Sequence, residues 1–538
     1  MTRLSPKTLA LLVALALLPG CRAAAPRARH PRPCPTASWK SWSAKPPMGW
    51  NSFDCYGYAV NETQFRAAVD WLAQNLLPYG YEYAVIDIAW YRPAQAAAGE
   101  VNAAGADPND RPRPVTMDRY GRALPAPDRF PSAADGQGFK TLADYVHRRG
   151  LKFGIHIMRG IPRRAVAENT PVLGASYRAP DFAAPYDTCS WNNDMYGLDP
   201  DHPGAQAYYN SLFDLYARWG VDFIKADDMM VPPYHKAEIE MMRRAIDQCG
   251  RPIVLSLSCG EAPISFAPHL EQNANMYRIS IDFWDDWTKL LRLFQLAHAW
   301  SPFIGDGAWP DNDMLPIGRL RVFAPPADKS PPRDSRLTEA EHYTLMTLWC
   351  ISRSPLFWGG DPLSSSPWSV SFLQNREVLA VNQNSSGNRQ IFHGYGDNFT
   401  QRVWFADLPD SPDKYLALFN IGNDALDVKF AFYWENLRGR YRIRDLWKHQ
   451  DLGLFENEFT RNLPAHGAGL YRLSPAPDSP IFIAPAAAAE NRNPASSSSA
   501  APSLAPAPPG RTPPGPPCCA APTDPFPNRT TPRSAAGT

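Results

Sequence analysis

Between about Pro46 and Leu473 the chain repeats one pattern: an amphipathic helical stretch, a glycine, a short apolar run and then a polar residue. TLADYVHRRGLKFGIHIMRG shows it compactly: the helix ends in His147, Arg148 and Arg149, Gly150 is placed to cap it, and KFGIHI reads as the strand. SLFDLYARWGVDFIKADD and FRAAVDWLAQNLLPYGYEYAVIDIAW repeat the arrangement. The predicted strands are PPMGWNSF, EYAVID, KFGIHI, DFIKAD, PIVLSLS, NMYRIS, a short run near SPFIGD, and PLFWGGD. Strands separated in this way by helical segments predict an α/β fold, a (β/α)8 TIM barrel. The alternative, an open doubly wound sheet, usually carries a glycine-rich phosphate loop after its first strand, where this chain reads NSFDC.

In such a barrel the residues that follow the strands gather on one rim, the face where chemistry is done. Here they are Asn51, Asp87, His156, Asp227, Ser258, Asp282 and the pair Asp311 and Asp313. Capping or a salt bridge would explain any one of them. The whole set is hard to explain as packing and predicts a pocket. Asp227 in VDFIKADDMM and Asp282 in NMYRISIDFWDDW each close an apolar run, and two carboxyls facing one another across a rim can cleave a glycosidic bond. Lys225 and Arg278, each near one of these acids, could hold a carboxylate ionised or bind sugar hydroxyls. Asp228 should point the other way along its strand. Asp285 and Asp286 are the rival acids, expected further into the following helix.

Composition narrows the partners. Lys and Arg total 54 against 53 Asp and Glu, a net charge of +1 that offers no footprint for nucleic acid or an anionic membrane. A neutral polar partner fits better, and the 17 Trp and 22 Tyr include flat faces of the kind that pack against sugars, although most aromatics simply fill a core. No CxxC, HExxH or His cluster suggests a metal, and no GxGxxG or Walker loop a nucleotide, so no cofactor is expected.

The ends differ from the middle. Residues 1–24 carry Arg3 and Lys7, an apolar run from Leu9 to Leu18 and then small residues, as in a secretory signal peptide too short to span a bilayer. A lipoprotein acylated at Cys21 is the alternative. Export to the cell wall or the exterior is the expectation, with a vacuolar or lysosome-like site as the variant, and no transmembrane span remains once the signal is removed. Sequons at Asn61, Asn384, Asn398 and Asn528 agree with export. The nine cysteines become eight after signal removal, an even number in an oxidising compartment, so disulfides are expected. Residues 25–44 read as a linker, 45–385 as the barrel, 386–474 as a C-terminal β domain, and 475–538 as a disordered Pro/Ala/Ser-rich tail.

PPMGWNSF, YAVIDIAWY, GLKFGIHI, DFIKADD, YRISID and WPDNDML stand in the order seen in glycoside hydrolase family 27, the melibiase-like α-galactosidases of clan D, and the chain resembles that family. YRIRDLW and LPAHGAGLYRL resemble its C-terminal antiparallel β-sandwich domain. The resemblance implies an exo-acting, retaining double displacement without metal or organic cofactor, with Asp227 as nucleophile and Asp282 as acid/base. It also implies Asp87 on the axial-hydroxyl side of the sugar, Asp313 near the 2-hydroxyl, and Trp50 with Phe53 as an apolar wall. Departures matter as well. The chain reads IDIAW where many relatives read IDDCW, so Ile88 replaces an acid that resembles a ligand for the hydroxymethyl end of galactose. His156 stands where relatives often carry Tyr, Ser258 where some carry a carboxylate, and Phe53 where many carry Trp. Ala89 and Met229 replace the cysteines that would pair with Cys55 and Cys189. An α-galactosidase is therefore expected, with a β-L-arabinopyranosidase acting on arabinogalactan-type side chains as the alternative, since L-arabinopyranose has the galactose ring without the hydroxymethyl group. A non-catalytic carbohydrate-binding homologue and a cell-wall glycoprotein whose tail carries the function are the remaining readings.

Overall fold

Seven of the eight predicted apolar runs form parallel strands in a computed structural model that describes residues 39–94, 114–230, 232–322, 331–392, 394 and 399–477. The predicted signal peptide, the tail beyond residue 477, and Asn398 and Asn528 lie outside the described residues. The strands are β1 (Met48–Asn51), β2 (Tyr83–Ile86), β3 (Lys152–Met158), β4 (Phe223–Asp227), β5 (Val254–Leu257), β6 (Met276–Arg278), β7 (Trp309–Asp311) and β8 (Leu356–Trp358). They pair in the order β7-β6-β5-β4-β3-β2-β1-β8, every neighbour parallel. The curled sheet closes through Leu315, just after β7, whose N–H donates to the Phe357 carbonyl at 2.7 Å and whose carbonyl accepts from Gly359 N–H at 3.0 Å. The fold is a TIM barrel followed by a C-terminal antiparallel β domain.

Because side chains alternate along a strand, every second residue enters the barrel. Tyr83, Val85, Phe223, Val254, Met276, Trp309 and Phe357 pack together inside it. Trp50, Ala84, Ile86, Ile224, Ala226 and Tyr277 belong instead to the layer between strands and helices. The inward positions at the lower level must include very small residues: a Cβ on Gly49 would lie 2.5 Å from the Tyr83 carbonyl oxygen and 2.9 Å from the Phe357 ring.

The helices follow their capping signals. α1 (Glu62–Asn75) begins with a capping box between Asn61 and Gln64, and α3 (Pro203–Trp219) ends at Gly220 with φ 85°. Between them lies α2 (Lys140–Arg148), with Gly150 in the left-handed region two residues beyond its end. Two expectations need correction. The run near SPFIGD is not a strand: Ser301–Phe303 is a 3-10 turn, and positive φ at Gly305, Asp306 and Gly307 turns the chain before β7 begins at Trp309. Pro310 disguises that strand, yet the ladder to β6 uses the flanking groups, Trp309 N–H to the Asn275 carbonyl and Ile279 N–H to the Asp311 carbonyl. The end of the stretch read as a linker is also structured. Trp39–Ser43 forms a 3-10 turn against the barrel base, where Trp309 Nε1 donates to the Ser43 carbonyl at 2.7 Å.

The C-terminal strands are β9 (Ser386–Phe392), β10 (Gln401–Asp407), β11 (Lys414–Asn420), β12 (Leu426–Ala431), β13 (Arg440–Asp445), β14 (Gln450–Glu456), β15 (Glu458–Leu463) and β16 (Ala468–Pro475). Six make an antiparallel sheet in the order β9-β10-β11-β16-β13-β14, and β12 pairs with β15. Val403, Phe405, Leu416, Leu418, Val428 and Phe430 fill the space between them. The opposite face of the larger sheet, including Trp404, Tyr415, Phe419 and Leu470, joins the barrel's own core through the helix Glu339–Ile351, which is buried on nearly every side. No helix among the described residues is long and apolar enough to cross a membrane.

The close packing at Gly49 predicts that Gly49→Ala lowers stability by about 1–3 kcal/mol through overpacking. Urea unfolding of the full chain would measure it, and an unchanged midpoint would contradict this account of the barrel interior.

Candidate active site

The alternation that fills the barrel with apolar side chains at its base delivers polar ones at the carboxyl ends of the strands. Continuing inward from Val85 and Phe223, the next positions are Asp87, Lys225 and Asp227; from Met276 comes Arg278, and beyond Trp309 come Asp311 and Asp313. Asp87, Ile88, Lys225, Asp227, Ser258, Arg278, Asp282 and Asp313 line one cavity, with Phe53, Tyr58, Trp284 and Met314 as its apolar wall.

Each charge has a partner. Asp87 accepts from Lys225 Nζ at 3.0 Å, from Asn51 Nδ2 at 2.7 Å and from Ile88 N–H at 2.8 Å. Burial alone would raise its pKa, but the Lys225 ammonium, His156 and these hydrogen bonds hold it at about 2. Lys225 is pushed the other way: burial opposes its charge, yet Asp87, Asp227 and Asp313 together raise it above its ordinary value. Lys225 therefore pairs directly with Asp87, and its influence on Asp227 is through space.

Asp227 ends β4. Its Oδ2 lies 2.9 Å from His156 Nε2 and its Oδ1 accepts the Asp228 N–H at 2.8 Å. Burial raises its pKa, but the His156 hydrogen bond and the nearby Lys225 outweigh it, so the carboxyl is held below its usual value and ionised. The Nδ1 of His156 has no partner among the described residues, which places the ring proton on Nε2, facing Asp227. Across the cavity Asp282 is more open, its side chain 27% exposed, and accepts from Arg278 Nη2 at 3.2 Å. Lys289 Nζ fixes its backbone by donating to the Asp282 carbonyl at 2.9 Å. Asp313 accepts from Arg278 at 2.8 Å and from Phe283 N–H at 2.8 Å, and burial nevertheless pushes its pKa upward.

The rival acids are engaged elsewhere. Asp228, at φ 64°, turns out of the cavity to Arg159 at 2.9 Å, and Asp285 is buried against Arg333 and Arg336. Asp286 is not inside the following helix but caps the helix Trp287–Trp300 by accepting from Thr288 N–H. Two other site expectations change. Trp50 does not line the cavity: strand alternation turns it outward, where it packs on Tyr56 and Phe65 and donates to the Gly360 carbonyl. His156 is fully buried beneath Asp227 and does not belong to the lining. Sequence reading passed over Asp54, Tyr58, Phe283, Trp284 and Met314; of these, Phe283 and Trp284 lie within NMYRISIDFWDDW and Met314 within WPDNDML, both of which had been singled out.

Asp187, His235 and Glu238 bring ligand atoms within 4.8 Å of one another, the one such group among the described residues. The Arg159 guanidinium already answers that charge, donating to Asp187, Asp228 and Glu238. Cys55, Cys189, Cys249 and Cys350 are buried free thiols. Cys55 and Cys189 are thus unpaired, as the replacements at Ala89 and Met229 imply, whereas Cys259 is disulfide-bonded.

Comparisons with known proteins agree with the geometry. A family model described as alpha galactosidase A matches residues 194–384, and one described as the alpha galactosidase C-terminal beta sandwich domain matches residues 398–473. The crystal structure of a variant GH27 β-L-arabinopyranosidase from Geobacillus stearothermophilus, in complex with arabinose, is 44% identical, with TM-score 0.76, covering 82% of this chain and 100% of its own. Alpha-galactosidase 3 of Arabidopsis thaliana is 27% identical over 442 residues, 80% of this chain and 82% of that protein. An alpha-N-acetylgalactosaminidase of Gallus gallus is 28% identical over 363 residues, 64% of this chain and 71% of its own.

The pairing of Asp87 has a measurable linkage. A carboxylate with a depressed pKa contributes stability that is present above its unfolded value and lost as pH falls through the folded one. Lys225→Met strands Asp87 without its cation, so it should destabilise the protein by about 3–5 kcal/mol near neutrality. The deficit should shrink as pH falls toward the folded value of about 2. Urea midpoints of wild type and variant between pH 7 and pH 3 test this, and a pH-independent difference would contradict it.

Proposed function

We propose that this chain, which belongs to glycoside hydrolase family 27, is an exo-acting retaining glycosidase that removes terminal β-L-arabinopyranosyl residues in preference to α-D-galactosyl ones. One observation carries the choice of sugar: Ile88 forms the cavity wall directly beside Asp87, and it is 2% exposed. Isoleucine cannot accept a hydrogen bond, so a galactose hydroxymethyl group meeting it would leave its hydroxyl unpaired, at a cost of about 1–3 kcal/mol. The pentopyranose lacks that group. The 44% identity to an arabinopyranosidase, against 27% to an α-galactosidase, supports the same preference. The α-galactosidase reading is the second, favoured by curated relatives that span 80% of the chain.

In the proposed mechanism the ionised Asp227 attacks the anomeric carbon while Asp282 gives its proton to the departing glycosidic oxygen. A covalent glycosyl-enzyme forms as the aglycone leaves. Asp282, now a carboxylate, takes a proton from water, the water oxygen attacks the same carbon, and Asp227 is released with retained configuration. The environment of each acid supports its role. Asp227 is hydrogen-bonded to His156 and kept charged, whereas Asp282 stands at the open side, where a leaving group and a water can reach it. Lys225, Asp87, Arg278 and Asp313 are proposed to hold the ring hydroxyls, with Ser258 and Phe53 completing the wall. Export through the N-terminal apolar run is likewise proposed, on the strength of the sequence of residues 1–24.

Hydrolysis of aryl β-L-arabinopyranoside and aryl α-D-galactopyranoside side by side tests the reading. Wild type should prefer the arabinoside, and Ile88→Asp should move the kcat/KM ratio toward the galactoside by about 10- to 100-fold. Asp227→Ala should be inactive on both, and Asp282→Ala should lose about 10²- to 10⁴-fold. A wild-type preference for the galactoside would return the enzyme to the α-galactosidases. Removal of the His156 hydrogen bond raises the pKa of Asp227, and attack requires the ionised form. His156→Phe should therefore move the acidic limb of the kcat/KM profile to higher pH; an unmoved limb would show that His156 does not hold Asp227 ionised.

A further inference from the structure

One carboxyl in the cavity takes no part in these steps. Asp54 sits on the short helical segment Phe53–Tyr56 after β1, is 4% exposed, and lines the same space as Asp87, Asp227 and Asp313. Those three each accept hydrogen bonds from fixed donors. The Oδ2 of Asp54 has no partner among the described residues. The fold makes room for that oxygen: at Gly359, just past β8, a Cβ would stand 2.0 Å from it. A buried carboxyl oxygen with no partner is costly, and a protein that retains one in a binding cavity has a use for it.

The surrounding charges decide what kind of hydrogen-bonding group it is. Asp87 on β2, Lys225 on β4, Asp285 after β6 and Asp313 after β7 all act on Asp54, and Arg321 is near enough to be influenced by it. Burial first, and then the charge of Asp313, push its pKa well above the ordinary carboxylate value, with Lys225 opposing. Burial and these neighbours thus favour the protonated form of Asp54, which stands beside two ion pairs, Lys225 with Asp87 and Arg278 with Asp313. A neutral carboxyl both donates and accepts, which suits a sugar hydroxyl, itself a donor and an acceptor.

We propose that Asp54 is a further substrate-binding residue, whose carboxyl group hydrogen-bonds a hydroxyl of the bound sugar. The inference rests on the glycosidase reading of the cavity and is independent of the choice between arabinose and galactose, whose ring hydroxyls have the same arrangement.

Calorimetric titration of L-arabinose and D-galactose into full-length Asp227→Ala, and into the same chain carrying Asp54→Leu or Asp54→Asn, tests it. Asp54→Leu should weaken the tighter-binding sugar by about tenfold or more, and Asp54→Asn should restore most of that loss, because the amide also donates and accepts. The affinity of the Asp54 parent should also fall as pH rises through the elevated pKa of Asp54, a dependence that Asp54→Asn should lack. This arm holds even if Asp54→Leu does not fold. Equal affinities in the parent and Asp54→Leu, or the same pH dependence in the parent and Asp54→Asn, would overturn the proposal. A parent that bound neither sugar would overturn the glycosidase reading itself, an outcome distinct from one in which the parent binds and Asp54 makes no difference.

Discussion

Charge buried without a partner would expel itself from this barrel, and the rim is organised around that constraint. Removing one ion from water costs several kcal/mol even after the protein relaxes, so Lys225 and Arg278 are admitted only among carboxylates that they neutralise. Pairing quality then sorts acids of similar burial. Asp87, with three donors, is held at about 2, whereas Asp311 is pushed to about 7, first by burial and then by the neighbouring Asp313 carboxylate, with Arg278 opposing. Asp228 also rises to about 7 although it touches Arg159, because burial dominates and Asp227 lies beside it. The same interior thus spreads its carboxyl pKa values from about 2 to about 7, by pairing and burial alone.

The barrel supplies the scaffold for that sorting. A parallel strand whose inward residue is apolar at the base presents the next inward residue two positions on, and in β2 and β4 this carries the chain from Val85 to Asp87 and from Phe223 to Lys225 and Asp227. The separation between an oily lower layer and a charged upper one comes from strand periodicity and needs no loop to arrange it. Loops add the remainder: Asp282, Trp284 and Tyr58 lie beyond strand ends, and backbone anchors such as Lys289 on the Asp282 carbonyl hold part of it in place.

Legibility in the sequence follows the same division. The strands that end in Asp87 and Asp227 could be read because their apolar runs are unbroken, and the order of motifs pointed to the family. β7 was misplaced because Pro310 interrupts its three residues and a more apolar segment lies just before it. Trp50 was assigned to the cavity by resemblance, although strand parity alone turns it outward when Asn51 faces in. The partnership of His156 with Asp227 depends on the register between β3 and β4, which a single strand does not reveal. Asp54 was passed over because it follows the strand end on a short turn, and its lack of a partner exists only in three dimensions.

The helix Glu339–Ile351 joins the two halves of the molecule. Its Trp349 donates to the Asp313 carbonyl at 2.8 Å, its Thr344 donates to the His466 carbonyl at 2.5 Å, and its apolar side chains share one core with the larger C-terminal sheet. The sheet is not a cassette. Exchanging it for another would uncover the helix that holds the Asp313 backbone beside the cavity, so barrel and sheet stand or fall as one unit.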